Sequence, residues 1–503
     1  MREWRVFIGS ALATGVIATG GMLATAGSQE GRGRVPLSTG KFIEPLGDHI
    51  GVGSYPSAVL LSPDSRYVVV SSLGARSKLT VLRASDGTVV SSIEPKALNT
   101  RKPGFYLGLA FAADGRTLYA ARGSDDIVGV YALDADGKLT DTGKTYPATD
   151  AAGLALSPDG KTLWVSSSSG DPKNKLRGTV RAIDLASGTV RSYSVSGYPL
   201  GMAAVGNKVY VTSEQAGGLE VLDAATGSVL KHIETGAQTT HLLLAEGGKT
   251  LFVSASSSDT ISEIDTATDK VVRTILVRPA EARGLPSATP LGLALSADGK
   301  TLYAACGDLN AVAVVDRQRG RLSGFVPAGW YPTAVSVAGD ALICVNAKGT
   351  GVRNPNGKAV AIAGADRPQY IQNIIEGTAV RLLLKDLQKD LKGLTKTVAQ
   401  NNRLRPDLLK SVRRALKNPG IEHVIYIIKE NRTYDQVLGD LEKGERDPSL
   451  CLFGEEVTPN QHALARRFVL LDNFYCSAEV SGDGWNFSTA GMANEYVSRN
   501  VPY

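Results

Sequence analysis

The 503-residue chain is long enough for two to four domains at roughly 100–200 residues each, or for one repeat array with an appended unit. Hydrophobic residues make up 43% of it and charged residues 21%, ordinary globular values that exclude wholesale disorder. A net charge of +6 is too small and scattered to indicate a nucleic-acid partner, and 55 glycines beside 6% aromatics point to many tight turns between short strands.

The chain opens with Arg2 and Arg5, after which residues 6–26 carry no charge. Ala24-Thr25-Ala26 fits the small-x-small pattern cut by signal peptidase, so residues 1–26 read as an export signal. The alternative is a retained anchor; a weakly apolar run rich in Gly and Ala favours cleavage. The expected location is therefore periplasmic or extracellular, with no stable membrane span after cleavage. Four cysteines do not make a disulfide scaffold. Cys306 and Cys344 sit in strand-like runs as small apolar residues, whereas Cys451 and Cys476 are candidates for a pair that their Cα separation would decide.

Internal repeats dominate the middle of the chain. Leu61-Ser-Pro-Asp-Ser-Arg-Tyr-Val-Val-Val70 recurs as Phe111-Ala-Ala-Asp-Gly-Arg-Thr-Leu-Tyr-Ala120, Leu156-Ser-Pro-Asp-Gly-Lys-Thr-Leu-Trp-Val165 and Leu295-Ser-Ala-Asp-Gly-Lys-Thr-Leu-Tyr-Ala304. Weaker copies begin at Val205, Ala245 and Val337, giving seven at a period of about 41–51 residues, the blade length of a propeller. Each copy is a strand, an Asp-Gly type turn and a second strand, followed by a third strand such as Gly218-Leu-Glu-Val-Leu-Asp223, a turn such as Ala225-Thr-Gly227, and a fourth strand. A lone blade buries neither face, so the seven are expected to stack about an axis and close. The repeats lack WD signatures and resemble the bacterial YVTN type, with S-P-D-G-K-T-L-Y-V, x-V-x-V-I-D and T-G-x-V. That resemblance implies an all-β seven-bladed propeller over 27–385. The last blade carries a polar insertion at 348–372, and Gly377-Thr-Ala-Val-Arg-Leu-Leu-Leu384 reads as its delayed third strand. Lys41-Phe-Ile-Glu-Pro-Leu46 is the candidate closing strand.

Two look-alikes inside the array are discounted. Asp134-Ala-Asp136-Gly137 resembles the start of a calcium loop but lacks the later ligands, and reads as a hairpin turn. His241 could face the central channel, yet a lone His is more often a hydrogen-bonded structural residue.

From Lys385 the composition changes. Leu387, Leu391, Leu394 and Val398 form one stripe of an amphipathic helix, Pro406 interrupts, and a second helix is expected to run to Lys417 before Asn418-Pro-Gly420. Residues 386–418 thus read as a helical linker with a solvated face. Beyond it, Ile421-Glu-His-Val-Ile-Tyr-Ile-Ile428 reads as a buried strand of a parallel sheet, running into Lys429-Glu-Asn-Arg-Thr-Tyr-Asp435. A second strand, Phe468-Val-Leu-Leu-Asp472, leads to Val480-Ser-Gly-Asp-Gly-Trp-Asn486 and a helix from Phe487. Sites collect beyond the carboxyl ends of such strands. A carboxylate beside an amide, Glu430-Asn431, suits a divalent cation, and Ser481 in a glycine-containing turn suits an exposed hydroxyl with backbone N–H groups nearby.

The stretch V-I-Y-I-I-K-E-N-R-T-Y-D, then L-D-N-F-Y and A-E-V-S-G-D-G, resembles the N-terminal part of the phosphoesterase family that includes bacterial phospholipase C and acid phosphatases, of the α/β alkaline-phosphatase-like superfamily. The resemblance implies a partial phosphoesterase domain at 419–503 and an exported, metal-dependent phosphoesterase. Glu430 and Asn431 would ligate a divalent ion (Ca, Zn or other), Ser481 would take the phosphoryl group of a phosphate-ester substrate, and Asn486 would help hold its oxygens. Relatives often carry His near the position of Trp485 and continue well past the equivalent of Tyr503, so the catalytic domain is expected to be incomplete here. The competing expectation is a non-catalytic propeller that binds a protein or polymer at the cell surface or in the periplasm, with no nucleic acid involved. A redox propeller is disfavoured by the lack of C-x-x-C-H and of clustered His.

Overall fold

The computed structural model describes residues 33–98, 102–171, 174–282, 288–351, 370–405, 407–415 and 422–501. The expected export signal at 1–26, most of the insertion in the last blade and the Asn418-Pro-Gly420 stop lie outside the described residues.

Seven four-stranded antiparallel sheets form the blades of a propeller. Blades 1 to 6 occupy residues 56–93, 109–147, 151–196, 199–234, 239–276 and 290–327, each running outward in chain order. Blade 7 takes its three inner strands from Pro332–Ala338, Ala341–Asn346 and Gly377–Leu383, and its outermost strand from the other end of the chain, His49–Gly53. The ring is thus closed by an N-terminal strand, but not by residues 41–46. Phe42–Ile43 pairs with Val35–Pro36 in a small hairpin instead.

The repeat motif explains why each blade folds locally. In blade 3, Ser157 Oγ donates to Asp159 Oδ1 at 2.6 Å and accepts the Thr162 N–H at 2.9 Å, while Gly160 takes the left-handed conformation that turns the chain back. Blade 6 repeats the arrangement with Ser296, Asp298 and Thr301. The second turn of the unit is set by an aspartate such as Asp223, which accepts the N–H groups of Ala225 and Thr226 at 3.1 and 2.8 Å. Asp134 plays that role in blade 2, accepting from Asp136 and Lys138, so that stretch is a hairpin turn.

Seven apolar clusters fill the seven gaps between adjacent blades. Because every blade is covered on both faces, the second strand of blade 1, Tyr67–Ser72, is buried along its whole length. Val68 and Val70 face blade 7, and Val69 faces blade 2. Each such side chain contributes about 1.5–3 kcal/mol. Cys306 and Cys344 are buried in these wedges as expected, and all four cysteines are free thiols. The Cys451–Cys476 pair is not formed; Cys451 instead points its thiol at the Asp440 carboxylate, 3.5 Å away.

The helical region is not a detached linker. Leu384–Lys389 and Leu391–Asn401 lie against the rim, Leu387 and Val398 are buried in blade wedges, and Asp390 caps the second helix by accepting the Gly393 N–H. Thr395 Oγ1 accepts the Phe325 N–H on the outermost strand of blade 6 at 2.9 Å, covering an edge that would otherwise be open to pairing. A further helix, Leu408–Ala415, follows.

In 422–501 the expected strands are absent. Residues 422–430 and 469–479 contain no strand and pair with none, and Ile425 and Val469 are 88% and 86% exposed. The β-branched and aromatic residues of 424–428 favour extended backbone, but a strand also needs a hydrogen-bonded neighbour, and none lies alongside among the described residues. This region is built of short helices, Tyr434–Leu438, Pro459–Arg467, Ser481–Ala490 and Glu495–Asn500, with Leu441 and His462 buried in its first half.

Around the axis, the third residue of each inner strand is Ala58, Gly108, Gly153, Gly201, His241, Gly292 or Ala334, counting blade 2 from Tyr106. A Cβ on Gly153 would sit 1.9 Å from the Leu200 carbonyl oxygen of the next blade. Gly153→Ala is expected to destabilise the propeller by about 1–3 kcal/mol through this overpacking, read as a lowered midpoint in thermal unfolding followed by circular dichroism. An unchanged midpoint would show that the inner strands are not in tight register.

Candidate functional site at the funnel face

The residues proposed from sequence come together only in part. Ser481 Oγ donates to Glu430 Oε1 at 2.5 Å although 51 residues separate them. Ser481 is the first residue of a helix rather than part of the turn before it. Asp483 accepts the Glu479 and Val480 N–H groups at 2.9 and 3.0 Å and so starts the helix six residues earlier than Phe487. Asn431 sits in the left-handed region (φ 67°), its carbonyl accepting from Arg432. Asn486 Nδ2 donates to the Gly482 carbonyl of its own helix, at 2.9 Å, and Trp485 is half exposed. Glu430, Asn431, Ser481 and Asn486 are all solvent-exposed or nearly so. Among the described residues no three His, Cys, Asp or Glu side chains converge as a metal-holding set. Glu430 and Asn431 are two exposed neighbouring oxygen donors, and Glu430 also accepts the Ser481 hydroxyl.

A second constellation lies at the mouth of the propeller, on the face where the inner strands begin. The residue just before the inner strand is left-handed in six blades: Tyr55, Asp150, Tyr198, Gln238, Thr289 and Tyr331, with φ between 47° and 59°. Such a conformation costs about 1–2 kcal/mol for a residue with a Cβ. Here it aims the carbonyl at the loop between the second and third strands. Tyr55 O accepts from Leu73 N, Tyr198 O from Glu214 N, Gln238 O from Ser256 N, Thr289 O from Gly307 N, and Tyr331 O from Ala347 N, at 2.8–3.2 Å. The mouth is therefore a ring of pinned loops, and the strain is offset by bonds that fix them.

The helix Glu495–Asn500 is seated in this mouth. Arg499, 1% exposed, donates through Nη2 to Glu214 Oε1 at 2.6 Å, through Nε to Glu495 Oε1 at 2.8 Å, and through Nη1 to the Tyr106 hydroxyl. Its guanidinium also lies 5.7 Å from the Tyr106 ring centroid. Around it, Tyr106 donates to Asn500 Oδ1 at 3.1 Å, the Tyr496 ring meets Tyr198 edge-on at 5.4 Å, and Gln372 donates to the Val501 carbonyl. Lys348, over the rings of Trp330 and Tyr331, pairs with Glu479 at 2.7 Å. His241 hydrogen-bonds Thr240 and lies beside Glu495 and Arg499; burial pushes its imidazole down to about 4, so it is neutral at physiological pH. A cleft of about 340 Å³ remains between this segment and the loops of blades 5 and 6, lined by Ser256, Ser257, Asp259, Thr289, Asn486 and Glu495 among others. A larger cleft, about 640 Å³, lies at the opposite ends of the strands, where Arg66, Arg83 and Arg381 each pair with an aspartate.

Sequence reading missed Glu214 and Arg499, which are 285 residues apart and carry no motif. The Tyr-Pro dipeptides that open blades 1, 4 and 7 (Tyr55-Pro56, Tyr198-Pro199, Tyr331-Pro332) were the visible signal of a shaped mouth.

Burial raises the Glu214 carboxyl from 4.5 to about 7; Arg499 opposes this shift and Glu495 adds to it. The charged and titratable groups facing it are Arg499, Glu495 and Tyr496, all from the C-terminal helix. Glu214 thus holds its proton more tightly in the folded chain than in the unfolded one. Its contribution is full below about pH 4.5 and is lost as pH rises through 7. The thermal midpoint is expected to fall between pH 5 and pH 8 by an increment that Glu214→Gln removes; an identical slope in the variant would exclude this group as its source.

Two family models match consecutive parts of the propeller: "Lactonase, 7-bladed beta-propeller" over residues 33–152 and "Outer membrane protein assembly factor BamB" over residues 154–325. The "Uncharacterized protein YncE" of Salmonella typhi and that of Salmonella typhimurium LT2 are each 25% identical over 229 residues, 44% of this chain and 60% of the relative. The chain thus spans less than two thirds of the length of these relatives. Among solved structures, Kuenenia stuttgartiensis Hydrazine Synthase aligns at 20% identity and a TM-score of 0.48, over 60% of this chain and 95% of that one. Both family models end before residue 326, so the resemblance they record is to β-propeller proteins.

Proposed function

We propose that the protein is a non-catalytic propeller binding protein of the cell envelope, whose binding surface is the funnel face. The observation that carries this reading is the seated helix: the mouth already holds a stretch of polypeptide through the buried Arg499 guanidinium on the Glu214 carboxylate and through a tyrosine pair. Propellers are general scaffolds, so the reading rests on this face and not on the fold. An envelope setting is supported by the partial match to an outer-membrane assembly factor and by the expected export signal. Among the described residues no helix is long and apolar enough to cross a membrane.

A second reading, phosphoester hydrolysis, is favoured by one observation, the 2.5 Å bond between Ser481 and Glu430. In it Ser481 is the nucleophile and Glu430 takes its proton, while Asn486 must turn from Gly482 to reach a phosphate oxygen. A divalent ion on Glu430 and Asn431 is the part of this reading with the thinnest donor set.

A photo-reactive amino acid placed at exposed Ser257, on the funnel face, is expected to capture one defined envelope species in competition with unlabelled chain. The same group at exposed Asp298, on the opposite face, should capture none. Purified chain is expected to leave bis-p-nitrophenyl phosphate intact with or without Ca²⁺ or Zn²⁺. Turnover abolished by Ser481→Ala would overturn the binding reading in favour of the second.

A further inference from the structure

The geometry points to the funnel as a guanidinium site for an arginine-bearing peptide, with Arg499 as its exchangeable resident; this rests on the binding reading above. The receiving groups belong wholly to the propeller. Glu214 comes directly after the second strand of blade 4 with its N–H pinned to Tyr198, and Tyr106 precedes the inner strand of blade 2 with its N–H pinned to Ala121. The funnel therefore exists whether or not the C-terminal helix is in place.

The resident is weakly built for permanence. Its helix is six residues long, too short to persist alone. No described residue of 422–501 belongs to the seven apolar wedges, and this segment is held at the mouth by a few polar groups and the Tyr198–Tyr496 ring pair. A buried ion pair recovers little beyond its own desolvation, so such a seal exchanges more readily than an apolar one.

The resident is also an imperfect fit. Arg499 arrives with Glu495 one turn before it, so two carboxylates share one guanidinium in a site where all three side chains are under 5% exposed. The Tyr55 hydroxyl, on a residue 1% exposed beside Tyr331, makes no hydrogen bond with any described protein group. A buried hydroxyl left so is unfavourable, and a ligand with an acceptor at that point would satisfy it. An incoming arginine without a preceding carboxylate would leave the Glu214 charge singly balanced.

The test uses the full chain and a synthetic peptide of residues 494–501. With the unaltered chain, excess peptide is expected to speed hydrogen exchange at the amides of Val497 to Val501, as the resident helix is displaced. A peptide with Lys in place of its Arg should be at least tenfold less effective, since an ammonium cannot reproduce the forked, ring-stacked geometry. Arg499→Ala, with its propeller melt intact, should bind the peptide at least tenfold more tightly than the unaltered chain by calorimetry, and adding Glu214→Gln should abolish that binding. Unchanged exchange in the unaltered chain, or binding that survives Glu214→Gln, would overturn the inference. A face-specific cross-link at Ser257 without peptide binding would keep the binding reading and reject the guanidinium class alone.

Discussion

Everything in this protein hangs on closing the ring. A four-stranded blade has two apolar faces and no partner of its own, so the array is stable only when the seventh blade meets the first. That junction is made by His49–Gly53, which pairs antiparallel with Gly377–Leu383 and brings Val52 into the wedge between blades 7 and 1. The strand comes from one end of the array and the sheet from the other, so opening the ring requires the loss of a whole strand ladder. Once closed, the inner strands run so near one another that glycine or alanine is needed at nearly every closest approach, and the loops at their starts are brought into a common mouth.

The two parts of the described chain are held by different physics. Between blades, stabilisation is apolar and continuous around the ring. Between the propeller and 422–501 it is local, concentrated on two ion pairs, Arg499–Glu214 and Lys348–Glu479, and on the Tyr198–Tyr496 rings. Apolar burial scales with area and is indifferent to detail, whereas the polar set depends on a few atoms in register. Losing one partner of the buried pair leaves a charge stranded and costs about 3–5 kcal/mol. That cost falls on docking before it falls on the blades, whose wedges lie elsewhere. The same contrast explains how exposed apolar stretches such as 424–428 coexist with a fully formed propeller.

How much of the structure is legible in the sequence depends on how local each signal is. The Ser-Pro-Asp-Gly turns spell out the blades because Ser157, Asp159 and Gly160 satisfy one another within six residues. The existence of an N-terminal closing strand is legible, but its position is not. His49-Ile-Gly-Val-Gly53 is recognisable only through its pairing with a segment more than 300 residues away. At 422–428 the opposite holds, since the β propensity is plain there and no paired strand lies alongside among the described residues. The start of the helix at Ser481 is hidden because its cap works backwards, from Asp483 to two preceding N–H groups. The Ser481–Glu430 bond joins two residues that the sequence singles out, across a separation of 51 residues that no local signal spans. Glu214 and Arg499 have no local signature at all; their meaning exists only once the ring is closed.

The strained residues at the mouth order it before a ligand is present. Left-handed backbone at a tyrosine or a threonine is unfavourable alone, and a following proline narrows the choices of the same residue further. Yet Tyr55, Tyr198, Thr289 and Tyr331 each precede a proline and each adopt it. The bond from each carbonyl to the neighbouring loop explains how the conformation is held. The repeated use of one position explains why it matters: the loops that carry Glu214, Ser256 and Ala347 are fixed before any ligand arrives. A mouth ordered in advance loses little entropy on binding, so a small number of polar contacts suffices for recognition. In such a surface the chemistry of the occupant is set by the few charged groups that reach the centre, and the one the propeller offers to Arg499 is the carboxylate of Glu214, with Tyr106 beside it.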